Sequence, residues 1–208
     1  MALERAVLFI DGSNFYHAAK NLGVATGELD YQKLADKLVM NRQLAGIRYY
    51  VGQVSGNLSR RSSQQKFLSR IQGQGVKVFT GRIERRMVSP NDNPLIVRLK
   101  DVVAAHKPDL RGSILVELEA LCTMSVPQYT EKRVDVSIAV DMVTMAHSGQ
   151  YDVAYLLSAD GDFVPAVEAV KKSGKKVFAA SPASGYELGR AVDHFFRLRR
   201  DWFLGLSA

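Results

Sequence analysis

The strongest constraint on this chain is a rhythm. Short apolar runs rich in β-branched and aromatic residues alternate with stretches of helical period, and turn residues separate them. The first run, 5–10 (RAVLFI), stops at Asp11-Gly12-Ser13-Asn14. A helix over 14–21 follows. Asp30 is placed to cap a second helix with Leu34, Leu38 and Val39 on its apolar face. A strand over 47–54, a helix over 59–72 closed by Gly73 and Gly75, and a strand over 76–80 continue the pattern. It resumes with a helix over 135–147, a strand over 152–157 and a helix over 163–173. A strand over 176–180, a helix over 184–194 and a short strand over 195–198 close it. Such alternation builds βαβ units with right-handed crossovers. The expected class is therefore α/β, with a mostly parallel sheet covered by helices on both faces.

Residues 82–130 break the rhythm. The stretch 82–88 alternates, 89–94 is rich in turn residues, 95–107 reads as a short helix, and 114–120 alternates as a strand does. We read an insertion containing a β-hairpin within one domain spanning 1–208, a length that buries a real core. Hydrophobic residues at 47% and charged residues at 24% exclude wholesale disorder. A single cysteine, Cys122, excludes a disulfide scaffold, and His17, His106, His147 and His194 have no zinc-ligand spacing. No apolar run reaches the roughly 18–20 residues that span a bilayer. The first apolar stretch is too short for a signal peptide and meets Asp11 at once. The expectation is a soluble cytoplasmic protein.

The net charge of +7 is uneven. Arg60, Arg61, Lys66, Arg70, Lys77, Arg82, Arg85 and Arg86 cluster against one acid, Glu84. Lys171, Lys172, Lys175, Lys176, Arg190, Arg197, Arg199 and Arg200 form a second basic segment, and the rest of the chain is net acidic. Solvated helix faces account for runs of this kind. The sharper reading is a polyanion track around an acidic centre.

In parallel α/β sheets the working residues collect beyond the carboxyl ends of the strands. There the chain places Asp11 after the first strand and Asp160 and Asp162 after the 152–157 strand. Asp135 opens a helix at the same rim. Asp141 lies about 9 Å further along that helix and is expected to face the sheet. Each has a plain alternative. Asp11-Gly12 is an ordinary turn, Asn14 and Asp135 are helix caps, Ser158 serves the backbone, and Asp162 caps the next helix. Together they make carboxylates from distant segments converge, which a divalent cation stabilises. Mg²⁺ suits such oxygen ligands, and Mn²⁺ accepts the same set. Phosphodiester hydrolysis is the natural reaction. Ser13 stands where a dehalogenase-like phosphatase needs a second Asp. No P-loop, G-x-G-x-x-G or G-x-S-x-G is present.

FIDGSNFY, VDVSIAVDM and LLSADGDFVPAV, in that order, resemble the NYN family, the LabA-like (DUF88) branch of the PIN-like nucleases. The resemblance covers about 5–80 and 131–200. It implies a Rossmann-like three-layer α/β/α sandwich and a metal-dependent ribonuclease. Asp11, Asp135, Asp141 and Asp160 would bind Mg²⁺ or Mn²⁺, with Asp162 completing the catalytic set. Asn14, Ser158 and Lys132 would position substrate. Lys132-Arg133 stands where the family often has Lys-Gly. Arg60, Arg61, Lys66, Arg70, Arg82, Arg85 and Arg86 would hold the RNA backbone on one side, and the segment from Lys171 to Arg200 on the other. Tyr16, Tyr49 and Tyr50 are stacking candidates, with core packing the stronger reading for Tyr49 and Tyr50. The competing readings are a non-catalytic RNA-binding or regulatory module, and a phosphatase or DNase using the same metals. A homodimer through the insertion is an open expectation.

Overall fold

The computed structural model describes residues 3–53, 58–88, 98, 99, 101–103, 105, 116 and 126–207, with side chains at all of these except 58, 82–88 and 126–132. The elements run β1 (Arg5–Asp11), α1 (Gly12–Asn21), α2 (Tyr31–Val39), β2 (Gln43–Gly52), α3 (Leu58–Gly73) and β3 (Lys77–Val88). Then come β4 (Val126–Lys132), α4 (Val134–His147), β5 (Val153–Leu157), α5 (Val164–Lys172), β6 (Lys176–Ser181), α6 (Tyr186–Ala191) and β7 (His194–Arg197). Short 3₁₀ turns occupy Thr26–Glu28, Gly161–Phe163 and Arg200–Phe203.

The strands form one seven-stranded sheet in the order β4-β3-β2-β1-β5-β6-β7. Pairings β1–β2, β2–β3, β1–β5, β5–β6 and β6–β7 are all parallel. Alternation along the central strands divides the core in two. Ala6, Leu8 and Ile10 of β1, with Val153, Tyr155 and Leu157 of β5, pack under α1, α2 and α3. Val7 and Phe9, with Ala154 and Leu156, pack under α4, α5 and α6. The α/β sandwich is therefore as the rhythm predicts. The chain moves outward from β1 to β2 on one side and later to β5 on the other. A switch point between β1 and β5 results, and in open α/β sheets a crevice opens there.

Most elements lie within a few residues of expectation, and the differences have causes. β3 runs through Gly81, so the alternating stretch 82–88 continues it. β2 starts earlier than expected, at Gln43. α6 is much shorter than 184–194, because Val192 turns extended (ψ 162°) to enter β7. Two compact units divide the chain. One holds Met1–Arg82 and Glu131–Ala208; the other, Ile83–Thr130, carries the outer part of β3, most of β4, and helical residues at 98, 99 and 101–103. The turn-rich loop at 89–94 falls outside the described residues; of the strand expected at 114–120 only Val116 is described, and it is helical and exposed rather than extended. No helix among the described residues is long and apolar enough to cross a membrane.

The amino end of the sheet is tied by ions. Asp152, just before β5, accepts from the Arg5 backbone N–H (3.0 Å) and side chain, and pairs with Lys175 at 3.0 Å. Glu4 pairs with Arg42 at 2.9 Å and Lys176 at 2.7 Å. The Arg5 side chain, its N–H and Lys175 hold the Asp152 carboxyl well below the usual carboxylate range. A depressed folded-state pKa adds stability above the unfolded value of about 3.9, lost as pH falls toward the folded value. Asp152→Asn should therefore melt below wild type at pH 7, with the gap closing under acid. A pH series of thermal melts checks this.

Candidate functional site

Strand β1 delivers Asp11 to the switch point. Its carboxyl is 3% exposed and caps α1, accepting from Asn14 N–H at 3.0 Å. Its other oxygen accepts from the Ser158 hydroxyl at 3.2 Å. Ser158 is fully buried and in turn accepts from Asp160 N–H at 3.2 Å. The Asn14 side-chain oxygen accepts from Ala159 N–H at 3.1 Å. These bonds stitch the end of β1 to the loop after β5. Gly12 allows the close approach, since a Cβ there would meet the Tyr49 ring at 2.7 Å. Any side chain at 12 must displace a buried tyrosine.

Across the crevice α4 begins. Arg133 precedes it in the left-handed conformation (φ 79°) and makes no side-chain cap bond. Glycine is preferred there, and Arg133 occupies the position where the family often carries it. Asp135 is therefore not the cap. It sits exposed in the first turn, where a negative side chain complements the helix dipole. A cleft of about 250 Å³ results, lined by Asp11, Ser13, Asn14, His17, Val134, Asp135 and Asp160. Three carboxylates from three distant segments thus share one opening.

The remaining expected residues go elsewhere. Asp162 is exposed, and its N–H donates to Asp160 at 3.0 Å, so Asp160, not Asp162, caps the turn. Asp141 does face the sheet but does not line the cleft. It meets Arg48 at 2.6 Å and Tyr50 Oη at 2.6 Å. Arg48 also donates to Tyr50 at 2.8 Å and lies over Phe79 at 4.2 Å. Burial, then the bond to Asp141, pushes the Tyr50 phenol well above its usual range. Tyr49 and Tyr50 are core residues, while Tyr16 is 46% exposed. Ser158 is sealed from solvent and Asn14 engages a backbone N–H, so both position the site's backbone. The side chain of Lys132 lies outside the described residues.

The basic segments also separate. Arg60, Arg61 and Lys66 are exposed on α3, whereas Arg70 is half-buried, lies over Phe67 and donates weakly to Leu29 O. The side chains of Arg82, Arg85 and Arg86 lie outside the described residues. Lys171, Lys175 and Lys176 are not a bank of the cleft. Helix α5 carries the chain to the sheet's amino end, where they pair with Asp193, Asp152 and Glu4. His17 and Ser13 are cleft residues that strand-end reasoning missed. His17 follows Asn14 by three, a spacing that shares a helix face and would have found it.

The cleft's donors are mainly carboxylate oxygens, the kind that hard divalent cations take. Among the described residues no three His, Cys, Asp or Glu side chains stand close enough to hold a metal by themselves. Mg²⁺ is commonly held by only one or two carboxylates, with waters and substrate phosphate completing its shell, so the cleft fits it.

The NYN domain family model matches residues 5–199. The chain belongs to the NYN domain family. This is a nuclease-associated family of PIN-like type, and the mostly parallel sheet flanked by helices is the arrangement the sequence leads one to expect. A crystal structure of a protein of unknown function from Vibrio parahaemolyticus superposes with a TM-score of 0.59 at 19% identity. The match covers 96% of this NYN chain and 95% of that one, and it speaks for the fold alone. No curated protein matches this chain.

Proposed function

We propose that this NYN domain is a divalent-metal-dependent ribonuclease working at the cleft between β1 and β5. The supporting observation is the convergence of Asp11, Asp135 and Asp160 on one opening at the switch point. These three would hold Mg²⁺ or Mn²⁺, in part through water. The ion would supply charge stabilisation for the phosphoryl group and a more acidic water. The chain's own groups set the geometry. Asn14 N–H and Ser158 O–H fix the Asp11 carboxylate, and Ser158 relays that position to Asp160. His17 and Ser13 offer the cleft polar contacts for a phosphate. Asp141 is a positioning residue, fastening α4 to β2 below Asp135. Arg60, Arg61 and Lys66 attract the backbone.

Labelled single-stranded RNA tests this. Cleavage that needs Mn²⁺ or Mg²⁺ and stops with EDTA is the expected result. Metal-independent binding without cleavage would instead support an RNA-binding module, and no action on RNA overturns both. Binding should weaken steeply with salt, and Arg60→Glu/Arg61→Glu/Lys66→Glu should lose most of it.

A further inference from the structure

The loop between β6 and α6 is pressed onto the loop that carries Asp160. A Cβ on Gly185 would stand 3.2 Å from Ala159 Cα and 2.8 Å from the Phe195 ring. A Cβ on Gly161 would stand 2.5 Å from Glu187 Oε2. One glycine from each loop thus permits the contact. Ala159 and Gly161 flank Asp160; Gly185 and Glu187 flank Tyr186. Tyr186 is therefore held beside the Asp160 loop through both its neighbours.

Its own ring is left to solvent, 76% exposed, whereas Tyr31, Tyr49, Tyr50, Tyr151 and Tyr155 are all buried. Packing gives no account of Tyr186. One turn on, the exposed Arg190 guanidinium sits 5.8 Å from the Tyr186 ring centroid. The same pairing recurs on α1. There Tyr16 is 46% exposed, Lys20 lies 5.9 Å from its ring, and its neighbour His17 lines the cleft. An exposed aromatic face with a cation beside it is what a single-stranded nucleic acid uses: a base stacks and a phosphate pairs.

We propose that Tyr186 and Arg190 form a subsite for one unpaired nucleotide of the RNA, its base on the ring and its phosphate on the guanidinium. The substrate then reaches the cleft as a single strand, because a base inside a duplex has both faces covered. This rests on the ribonuclease reading and goes beyond it by naming a contact point for the RNA. Glu187 is compatible with a nearby phosphate, since its carboxylate is directed at Gly161.

Short RNAs carrying one 2-aminopurine at successive positions, in EDTA so that nothing is cut, provide the test. On wild type at least one position should be quenched as its base stacks. Tyr186→Ala should abolish that quench and bind about tenfold more weakly, while Tyr186→Phe keeps both. Arg190→Ala should keep the quench but lower the salt slope by about one counterion. The exposed ring makes the alanine variant safe for folding, and the phenylalanine variant controls for it. If wild type binds RNA and Tyr186→Ala binds and quenches equally, this subsite is overturned while the ribonuclease reading stands. Duplex RNA bound as tightly as single strand overturns the strand assignment. Wild type that binds no RNA in EDTA overturns the subsite, while the Mn²⁺-dependent cleavage assay decides the ribonuclease reading separately.

Discussion

Asp160→Asn should cut metal-dependent RNA cleavage by roughly a thousandfold or more, in line with the several kcal/mol that a metal contributes to such a transition state. It should leave binding in EDTA within a few-fold. The substitution isolates the charge. Asp160 uses one oxygen to accept from Asp162 N–H, and the amide oxygen of Asn can take that bond over. What disappears is a negative charge facing two others across the cleft. The metal-free protein should therefore melt at or slightly above wild type, since mutual repulsion is relieved. Asp11→Asn should lose as much activity but behave differently on heating. Asp11 is nearly sealed and faces two donors, Asn14 N–H and the Ser158 hydroxyl. An amide offers only one acceptor oxygen, so one donor is left opposite an NH₂, at a cost of about 1–3 kcal/mol. Single-turnover cleavage with Mn²⁺, paired with metal-free melts, reads both effects. Cleavage that survives Asp11→Asn and Asp160→Asn combined would remove the cleft from the chemistry.

The fold was legible because its signals are local. RAVLFI reads as a buried strand and is one, and glycines 73, 75, 149 and 174 mark helix ends that the structure keeps, three of them at positive φ. The switch-point rule then nominated Asp11, Asp135 and Asp160 without any view of side chains, and all three line the cleft. What stayed hidden depended on direction. Each helix returns the chain to the far end of the sheet, so charges close in sequence can serve opposite ends. Lys171 to Lys176 and Arg190 look like one basic segment. Lys171, Lys175 and Lys176 are spent on ion pairs at the amino end, while Arg190 reaches the Tyr186 ring. Ser158 reads as a substrate contact by its place in the motif, yet its full burial makes it a stitch. The Gly185–Ala159 and Gly161–Glu187 approaches join distant segments, and no spacing rule announces them.

Asp141 is where the resemblance and the structure part most sharply, and removing it separates them. The resemblance implies a metal ligand; the structure gives an acceptor shared by Arg48 and Tyr50 on β2. Arg48 has only 16% of its side chain exposed, so Asp141→Ala leaves a largely covered guanidinium and a buried phenol short of their acceptor. Breaking such a pair should cost about 2–4 kcal/mol. For a chain of this length that is a fall in melting temperature of roughly 5–15 °C. Arg48→Met should also destabilise, although the Tyr50–Phe79 stack (4.8 Å) remains beneath it. Arg48→Met with Asp141→Leu should recover part of the loss, because an apolar pair carries no desolvation penalty. That coupling marks a structural ion pair, since removing a metal ligand would not be offset by changing Arg48. Cleavage by folded Asp141→Ala should drop by about a hundredfold at most, the scale for a slightly misplaced group acting through Asp135. If Asp141→Ala instead melts like wild type and cleaves no better than Asp160→Asn, then Arg48 must release Asp141 in the working enzyme, and the carboxylate belongs with the metal.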